Sequence, residues 1–335
     1  MTISPTGPKI AVVIPCFNVA AHILDVVAAI GDGVERIYVV DDRCPEGSGE
    51  LVESVSGDPR VTVIYHDENL GVGGATLTGY RHAIADKMDI IVKLDGDGQM
   101  DPSLIPVFVA PVVQHLADYA KGNRFYDIDS IRPIPALRRI GNAALSFMSK
   151  LSSGYWRIFD PTNGYTAIDA RVLAVMPLDK MNKRYFFESD MLFRLGVLGA
   201  VVTDIPMPAI YGEERSNLSI LRSIPEFFFR HTQNLLKRVV YDYFLRDFSI
   251  ASVELVAGLV FLTFGTIFGA VRWIESISGG VAATAGTVMI AALPVFLGTQ
   301  LLLSFLNYDM QRLGSVPLHI RLAQPPRQDS ATSDA

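Results

Sequence analysis

The sequence has few cysteines, few charged residues and no excess of basic ones. Its two cysteines, Cys16 and Cys44, cannot form a disulfide framework and indicate a reducing compartment. Charged residues make up 19% of the 335 positions and the formal net charge is −6, so no basic field attracts a nucleic-acid backbone. Hydrophobic residues make up 50% and the mean hydropathy is +0.30. This composition excludes disorder for most of the chain and is unusually apolar for a soluble enzyme.

Short apolar runs recur through the first third of the chain. They are rich in Val and Ile and lie at 9–15, 36–42, 60–66 and 89–97. Such runs are typical of parallel strands covered on both faces, and the helix-like stretches between them complete a βαβ rhythm. The pattern predicts a doubly wound α/β sheet, a loop over 121–140, a mixture of helix and turn over 141–200, and a further strand over 200–207. Ligands of such sheets bind at the carboxyl ends of the strands.

Two long apolar segments, 250–271 and 281–306, occupy the last third of the chain. At 1.5 Å per residue, about 20 residues cross the hydrocarbon core of a bilayer, so both segments are long enough to span it. The short connection over 272–280 predicts a transmembrane hairpin, although two buried helices of a soluble protein are the alternative. Basic residues are concentrated in 222–246, before the hairpin, so the positive-inside rule predicts that both termini are cytoplasmic at the cell membrane.

The segment before the hairpin combines aromatic and basic residues. This composition predicts amphipathic juxtamembrane helices over 220–249, with a packed core helix as the alternative. The predicted organisation is therefore an α/β domain over 1–219, these helices, the hairpin over 250–306 and a partly disordered cytoplasmic tail over 307–335. Small residues permit close helix contact, either within the hairpin or between subunits of a homo-oligomer; they are Gly258, Gly265, Gly269, Ala282 and Gly286.

The strongest local signal follows the fourth apolar run. There Asp95 and Asp97 flank Gly96, and Gln99 comes two residues later. Carboxylates are hard oxygen ligands that suit Mg²⁺ or Mn²⁺, and Mg²⁺ usually takes one or two of them together with substrate phosphates. The sequence predicts a divalent-metal site here, with a capped acidic turn as the alternative.

Several further motifs occur in an order that resembles glycosyltransferase family 2. The resemblance rests on Ile14-Pro15 with Asn18, Val40-Asp41-Asp42, Asn69-Leu70-Gly71, Asp95-Gly96-Asp97, Gly122-Asn123-Arg124 and Asp160-Pro161-Thr162-Asn163-Gly164-Tyr165. The last motif, together with the hairpin, is similar to the subgroup that glycosylates polyprenyl phosphates, of which dolichyl-phosphate mannose synthase is an example.

This resemblance implies a GT-A fold over 1–219 and assigns roles to individual residues. The residues that would hold the nucleotide-sugar donor are Pro15, Phe17, Asn18, Val40, Asp42, Asn69, Gly71, Asp95 and Gly96. Asp42 would accept a hydrogen bond from the base, and Arg124 and Arg215 would contact phosphate. Asp95, Asp97 and Gln99 would hold Mg²⁺ or Mn²⁺. The chain departs from the family where Val19 follows Asn18 and where Arg43 follows Asp42, so the nucleotide base is not specified.

The resemblance also identifies acidic residues at the acceptor end. Asp97, Glu188, Asp190 and Asp160 are the catalytic candidates. In relatives that glycosylate hydroxyls, a carboxylate such as Glu188 or Asp190 acts as general base. A phosphate acceptor is already anionic at neutral pH, so these two residues, with Asp160, would instead organise the acceptor pocket. Structural pairing with Arg184 or Arg194 is the alternative.

The implied function is an inverting, metal-dependent transfer of a sugar from a nucleotide-sugar donor. The acceptor would be a polyprenyl phosphate, of the undecaprenyl or dolichyl type, at the cytoplasmic face of a lipid membrane. Two alternatives remain open: a family 2 enzyme that acts on a glycolipid hydroxyl, and an inactive module that binds lipid or scaffolds a partner.

Overall fold

A computed structural model describes residues 7–126, 136–208, 220–312 and 314–323. The chain divides into two compact units, which are treated separately below. The first contains Met1–Asn234 and Gly314–Ala335, and the second contains Leu235–Leu313.

A seven-stranded mixed sheet forms the centre of the first unit. Its strands are β1 (Ile10–Cys16), β2 (Arg36–Asp41), β3 (Val61–Tyr65), β4 (Ile90–Lys93), β5 (Tyr119–Asn123), β6 (Thr166–Asp169) and β7 (Val202–Pro206). The order across the sheet is β3-β2-β1-β4-β6-β5-β7. All neighbouring strands are parallel except β6, which runs antiparallel to both β4 and β5. The α/β prediction and its first four strands are confirmed.

Helices connect and cover these strands. They are α1 (Ile23–Ala28), α2 (Ser48–Val55), α3 (Val72–Ala85), α4 (Ile105–Val113), α5 (Ala136–Ser153), α6 (Ala170–Ala174) and α7 (Phe187–Leu198). A further helix, α8 (Ile220–Val240), belongs to the first unit up to Asn234 and to the second unit from Leu235. Residues Ala11–Ile14 of β1 are completely buried, as expected for a central strand covered on both faces. Phe108 of α4 stacks on Tyr165 at a centroid distance of 3.9 Å, which joins a covering helix to the loop before β6.

Two strands lie where the sequence predicts none. The prediction of a loop over 121–140 is wrong at both ends, because β5 runs to Asn123 and α5 begins at Ala136. Strand β6 lies within the stretch predicted to be helix and turn. Both strands are fully buried although they contain Lys121, Asn123 and Thr166. These residues can be polar because hydrogen-bond partners elsewhere in the fold compensate for their burial. Neither strand therefore has the continuous apolar pattern by which strands are recognised in a sequence.

A short helix near the C-terminus packs onto the first unit. This helix, α11 (Leu318–Leu322), follows Pro317 and contains the fully buried His319. His319 Nδ1 lies 2.7 Å from Asp118 Oδ1, and the backbone N–H groups of Leu318 and His319 both donate to the Asp118 carboxylate. The chain beyond the second unit therefore returns to the sheet domain.

The second unit contains two long helices, α9 (Ile250–Gly279) and α10 (Ala285–Gln311). Each is long and apolar enough to cross a membrane, with a mean hydropathy of 2.0 over its best window, and only 22% and 11% of those windows are buried. The predicted connection over 272–280 is wrong, because α9 continues to Gly279 and residues 280–284 join it to α10. No helix-breaking residue interrupts 272–278, and the left-handed Gly280, at φ +63°, ends the helix.

The two long helices contact each other closely through glycines. A Cβ at Gly258 or Gly265 would lie within 3 Å of α10 atoms, and a Cβ at Gly298 would lie 2.6 Å from the Leu262 backbone nitrogen. The sequence identifies Gly258 and Gly265 but not Gly298. Gly286 meets no atom of α9 within 4 Å, so the prediction that it permits close contact within the hairpin is wrong.

Candidate active site

The predicted site residues follow the ends of strands at one edge of the sheet. Four strands run in the same direction and end at this edge with their carboxyl ends: β1, β2, β4 and β5. The antiparallel β6 begins at this edge with its amino end. The edge therefore carries Phe17, Asp42, Asp95, Arg124 and the loop that contains Asp160. This is the place where ligands bind in open α/β sheets.

A buried lysine joins two of the predicted acidic residues. Lys93 is the last residue of β4, and its Nζ lies 2.9 Å from Asp95 Oδ1 and 3.2 Å from Glu188 Oε1. Burial lowers the pKa of Lys93, but the Asp95 and Glu188 carboxylates outweigh this effect and raise it above its ordinary value. Both carboxylates therefore face a permanent positive charge. The sequence analysis assigned no role to Lys93, although a lone charge within an apolar strand is a detectable signal.

Gly164 provides the space that this ion pair occupies. A Cβ at this position would lie 2.5 Å from Lys93 Nζ and 2.7 Å from Asp95 Oδ2. The backbone N–H of Asp95 donates to Met100 Sδ at 3.2 Å. The glycine of the Asp160–Tyr165 motif is therefore required because a charged cluster fills the position of its missing side chain.

Asp97 and Gln99 form a turn beside this cluster. Asp97 Oδ1 accepts a hydrogen bond of 3.0 Å from the Gln99 backbone N–H, as expected for the capped acidic turn. Among the described residues, no group of three or more His, Cys, Asp or Glu side chains is arranged to hold a metal ion. Asp95 and Asp97 are only partly buried, and two hard carboxylates suit an ion whose remaining ligands come from a substrate diphosphate. The residues thus fit a divalent ion held jointly with a substrate.

Asp42 is buried and holds the loop after β3. Its Oδ1 accepts from the Leu70 backbone N–H at 2.8 Å and its Oδ2 from that of Gly71 at 2.7 Å. Its Oδ1 also lies 2.8 Å from His66 Nδ1, and Asn69 Nδ2 donates to the Asp42 carbonyl. The structure thus gives Asp42 a positioning role, while its contact with a base stays a prediction. The neighbouring Asp41 caps the turn at Cys44 and Gly49.

The glycine-rich segment packs against the chain that leads to α7. A Cβ at Gly71 would lie 2.7 Å from the Lys183 carbonyl oxygen, and a Cβ at Gly73 would lie 2.6 Å from that of Asn182. The Gly74 backbone N–H donates to Lys183 at 2.9 Å. These glycines therefore bring the segment before Glu188 close to the start of α3, and a donor contact by Gly71 stays a prediction.

Arg124 and Asp160 form a two-pronged ion pair. Arg124 Nε lies 2.8 Å from Asp160 Oδ2, and one terminal nitrogen lies 3.2 Å from Oδ1. Asp160 is fully buried, whereas about a third of the Arg124 side chain, 32%, is exposed. The pair fixes the plane of a guanidinium that reaches the surface of the site.

The two acidic residues of α7 have different surroundings. Glu188 belongs to the Lys93 cluster, whereas Asp190 Oδ2 accepts from the Asn182 backbone N–H at 2.9 Å and lies 3.1 Å from Arg194 Nε. Asp190 thus has the structural pairing with Arg194 that the sequence analysis gave as an alternative. Of these two residues, Glu188 is the one that contacts the Asp95 cluster.

The remaining predicted residues lie at or near the same edge. Pro15 and Val40 are buried in β1 and β2, Phe17 and Asn18 are exposed, and Gly96 packs against Ile23. Asn18 has a positive φ of 56°, and its N–H donates to Cys44 Sγ at 3.2 Å. Arg215 lies outside the described residues.

A second buried charged group lies on β5 and β7 and was missed from the sequence. Lys121 is fully buried and donates to the Asn163 carbonyl oxygen. Burial lowers the pKa of Lys121 to about 8 and raises the pKa of Asp204 to about 6. Asp204 Oδ2 accepts from Asn123 Nδ2 and the Phe159 N–H. These groups support the loop that carries Asp160.

Comparison with known proteins identifies the family. Residues 11–175 match the family described as Glycosyl transferase family 2. An uncharacterized protein of Methanocaldococcus jannaschii is 31% identical over 206 residues, which cover 61% of this chain and 83% of that protein.

Two further relatives have named activities. The UDP-N-acetylglucosamine–dolichyl-phosphate N-acetylglucosaminyltransferase of Methanococcus voltae is 28% identical and shares 61% of this chain and 86% of its own length. The undecaprenyl-phosphate mannosyltransferase of Micrococcus luteus is also 28% identical and shares 61% of this chain and 85% of its own length.

Solved structures share the architecture. The glucosyl-3-phosphoglycerate synthase of Mycobacterium tuberculosis, crystallised with Mn²⁺, UDP and glucosyl-3-phosphoglycerate, matches with a TM-score of 0.51 at 19% identity. The match covers 71% of this chain and 84% of that one, and it supports the fold alone. With its GT-A-like mixed sheet and the sequence matches above, the chain belongs to glycosyltransferase family 2 and is a glycosyltransferase.

Proposed function

We propose that this enzyme transfers a sugar from a nucleotide-sugar donor to a polyprenyl phosphate at a membrane surface. One observation carries the proposal: the relatives from Methanococcus voltae and Micrococcus luteus are named for different sugars, yet both names give a polyprenol-type phosphate as acceptor. The common element is therefore the acceptor. The two long apolar helices, α9 and α10, fit an acceptor that is embedded in lipid.

The donor occupies the edge formed by β1, β2 and β4 in this proposal. Pro15, Phe17 and Val40 line the nucleoside end, and Asp42 keeps the Asn69–Gly71 loop in place beside it. Asp95 and Asp97 would face the diphosphate, and together with Gln99 they would hold Mg²⁺ or Mn²⁺, with Asp97 as the main direct ligand. When bound, such an ion stabilises the negative charge that develops on the departing nucleoside diphosphate.

The acceptor approaches from the side of Arg124 and Glu188. The phosphate, with a second pKa near 6, is largely ionised at neutral pH and needs no general base. Arg124, oriented by Asp160, presents a planar guanidinium suited to phosphate oxygens. A phosphate oxygen then attacks the anomeric carbon from the face opposite the leaving group, so the configuration inverts.

The hairpin sets the location of the enzyme. We assign 1–219 to catalysis, 220–249 to the membrane interface, 250–306 to the membrane and 307–335 to a cytoplasmic segment whose helix α11 belongs to the sheet domain. Both termini and the site then face the cytoplasm. Exposed side chains of α8, including Phe228, Phe229 and Leu236, are suited to the lipid interface.

The proposal is tested by incubating the purified full chain with polyprenyl phosphate, Mg²⁺ or Mn²⁺, and UDP-, GDP- and dTDP-sugars. We expect one donor to yield a lipid-linked sugar, and Asp97→Ala to abolish product formation. A product that keeps the anomeric configuration of the donor would contradict inversion. Full turnover by wild type in chelator would contradict the metal assignment.

The same assay separates the alternative acceptors. An enzyme that glycosylates a lipid hydroxyl needs a general base, so Glu188→Gln would abolish turnover with donor binding intact. With a phosphate acceptor, we expect Glu188→Gln to retain measurable turnover. No product with any donor, together with no nucleotide binding in calorimetry, would instead indicate an inactive module.

A further inference from the structure

Lys93 is buried at the point where the donor and acceptor ends of the site meet. Only 1% of it is exposed, and its ammonium contacts one oxygen of Asp95 and one oxygen of Glu188. The two carboxylates are 93 positions apart in sequence and belong to different elements, the turn after β4 and the first turn of α7. One side chain thus connects the metal-binding turn with the helix that carries Glu188.

The neighbours of Asp95 limit its movement from several sides. Lys93 holds Oδ1, the missing side chain of Gly164 leaves room for Oδ2, and Met100 Sδ accepts from the Asp95 N–H. Because Oδ1 is engaged by the ammonium, Oδ2 is the oxygen that is available to a metal–nucleotide complex. The orientation of Asp95 therefore depends on Lys93.

A second buried lysine in the same sheet provides a comparison. Lys121, on β5, is also fully buried, but its ammonium donates to the backbone carbonyl of Asn163. Both lysines occupy positions opposite Thr166 of β6, Lys93 from β4 and Lys121 from β5. The two positions match in burial and register and differ in their partners.

We infer that Lys93 is a positioning residue that holds the Asp95 and Glu188 carboxylates in one arrangement and so prepares Asp95 for the metal–nucleotide complex. The inference rests on the proposed function, because it assigns the donor diphosphate to this edge. Lys93 acts through Asp95 and does not itself contact the reacting atoms.

The test is a double-mutant cycle on binding by the detergent-purified full chain. Calorimetry measures the dissociation constants of Mn²⁺–UDP and Mn²⁺–GDP for wild type, Lys93→Met, Asp95→Asn and the double variant. We expect each single variant to weaken binding about tenfold and the double variant to be no weaker than Asp95→Asn, because one residue acts through the other. The double variant removes one charge of each sign and keeps the net charge of the cluster, so we expect it to be less destabilised than Lys93→Met, and thermal unfolding of each variant checks that it is folded.

Lys121→Met is the matched control. We expect it to lower the melting temperature but to weaken binding clearly less than Lys93→Met does, because it removes a buried lysine and its bond to the Asn163 carbonyl oxygen but leaves the ammonium that contacts Asp95 in place. Three results would each overturn the inference. They are a loss of affinity in the double variant equal to the product of the two single losses, an unchanged dissociation constant for Lys93→Met, and a loss of affinity in Lys121→Met as large as that in Lys93→Met.

The outcome also distinguishes the inference from the proposed function. A wild-type enzyme that shows the expected cycle but makes no lipid-linked sugar from polyprenyl phosphate would contradict the acceptor and leave the role of Lys93 supported. Product formation with a multiplicative cycle would support the acceptor and contradict the role of Lys93. Nucleotide binding that does not depend on Mn²⁺ would contradict the inference and the metal assignment.

Discussion

At the scale of single residues, the site is built from buried charges that are paired. Lys93 contacts Asp95 and Glu188, and Arg124 donates two hydrogen bonds to the carboxylate of the fully buried Asp160. Removing one partner of such a pair leaves the other charge buried without compensation, which costs more free energy than the pair itself contributes. Substitutions here therefore affect both folding and the shape of the site.

The cluster predicts that Gly164 tolerates no side chain. We expect Gly164→Ala to lower kcat/KM by about 10- to 100-fold, because its Cβ would displace Lys93 or Asp95 from their present positions. Gly141→Ala is the matched control, since a Cβ at Gly141, on α5, meets no atom of the described residues within 4 Å. Steady-state kinetics of both variants provides the measurement. Equal activity of the two variants would contradict the role of Gly164.

Asp204 predicts a pH dependence of stability. Its pKa is raised to about 6 by burial, from 3.8, so the folded state binds a proton more tightly than the unfolded state does. The unfolded state therefore holds fewer protons between about pH 4 and 6, and the free energy of unfolding falls as pH rises through this window, by about 2–3 kcal/mol in total.

Comparison with Asp204→Asn isolates this contribution. Thermal unfolding at pH 4.5 and at pH 7 provides the measurement. We expect the wild type to lose more stability than the variant on going from pH 4.5 to pH 7. The same pH dependence in both proteins would show that Asp204 is not the group responsible.

At the scale of elements, the two long helices depend on small residues at their contact. Gly258, Gly265 and Gly298 leave no room for a Cβ, whereas Gly286, near the start of α10, faces no neighbouring helix atom within 4 Å. Small residues let helix backbones approach closely, which is how helices associate in lipid. The contact is therefore specific to these positions.

This contact predicts opposite results for two equivalent substitutions in α10. We expect Gly298→Ala to lower the melting temperature in detergent, because its Cβ would lie 2.6 Å from the Leu262 backbone nitrogen, with a cost of about 1–3 kcal/mol. Gly286→Ala is expected to leave the melting temperature unchanged or raise it. A loss of stability in Gly286→Ala as large as that in Gly298→Ala would refute the assigned contact.

At the scale of the whole molecule, sequence predicts the parts that have their own pattern. Strands β1 to β4 follow from their apolar runs, because burial on both faces leaves a continuous signal. Strands β5 and β6 do not, since β5 contains Lys121, whose ammonium meets the Asn163 carbonyl oxygen only in the folded sheet, and β6 is a short strand that begins with the polar Thr166. Likewise, Asp97 can be found from its motif, but the Lys93–Glu188 contact joins residues 95 positions apart.

The C-terminal segment is another feature that only the folded molecule reveals. Asp118 is completely buried and accepts from the Val201, Leu318 and His319 backbone N–H groups. Two of these donors, and the His319 ring, come from α11. The sheet domain is therefore incomplete without residues that follow the apolar helices in sequence.

This dependence predicts that a simple truncation gives a weakened domain. We expect residues 1–234 joined by a flexible linker to 314–335 to melt about 4–8 °C above residues 1–234 alone, because losing α11 leaves Asp118 short of donors, at a cost of about 2 kcal/mol. Thermal unfolding of both proteins gives the measurement, and His319→Ala in the linked protein should remove most of the gain. Identical melting temperatures of the truncated and the linked protein would show that α11 does not stabilise the sheet domain. The expected difference would mean that the catalytic unit is completed by chain segments from both sides of the apolar helices.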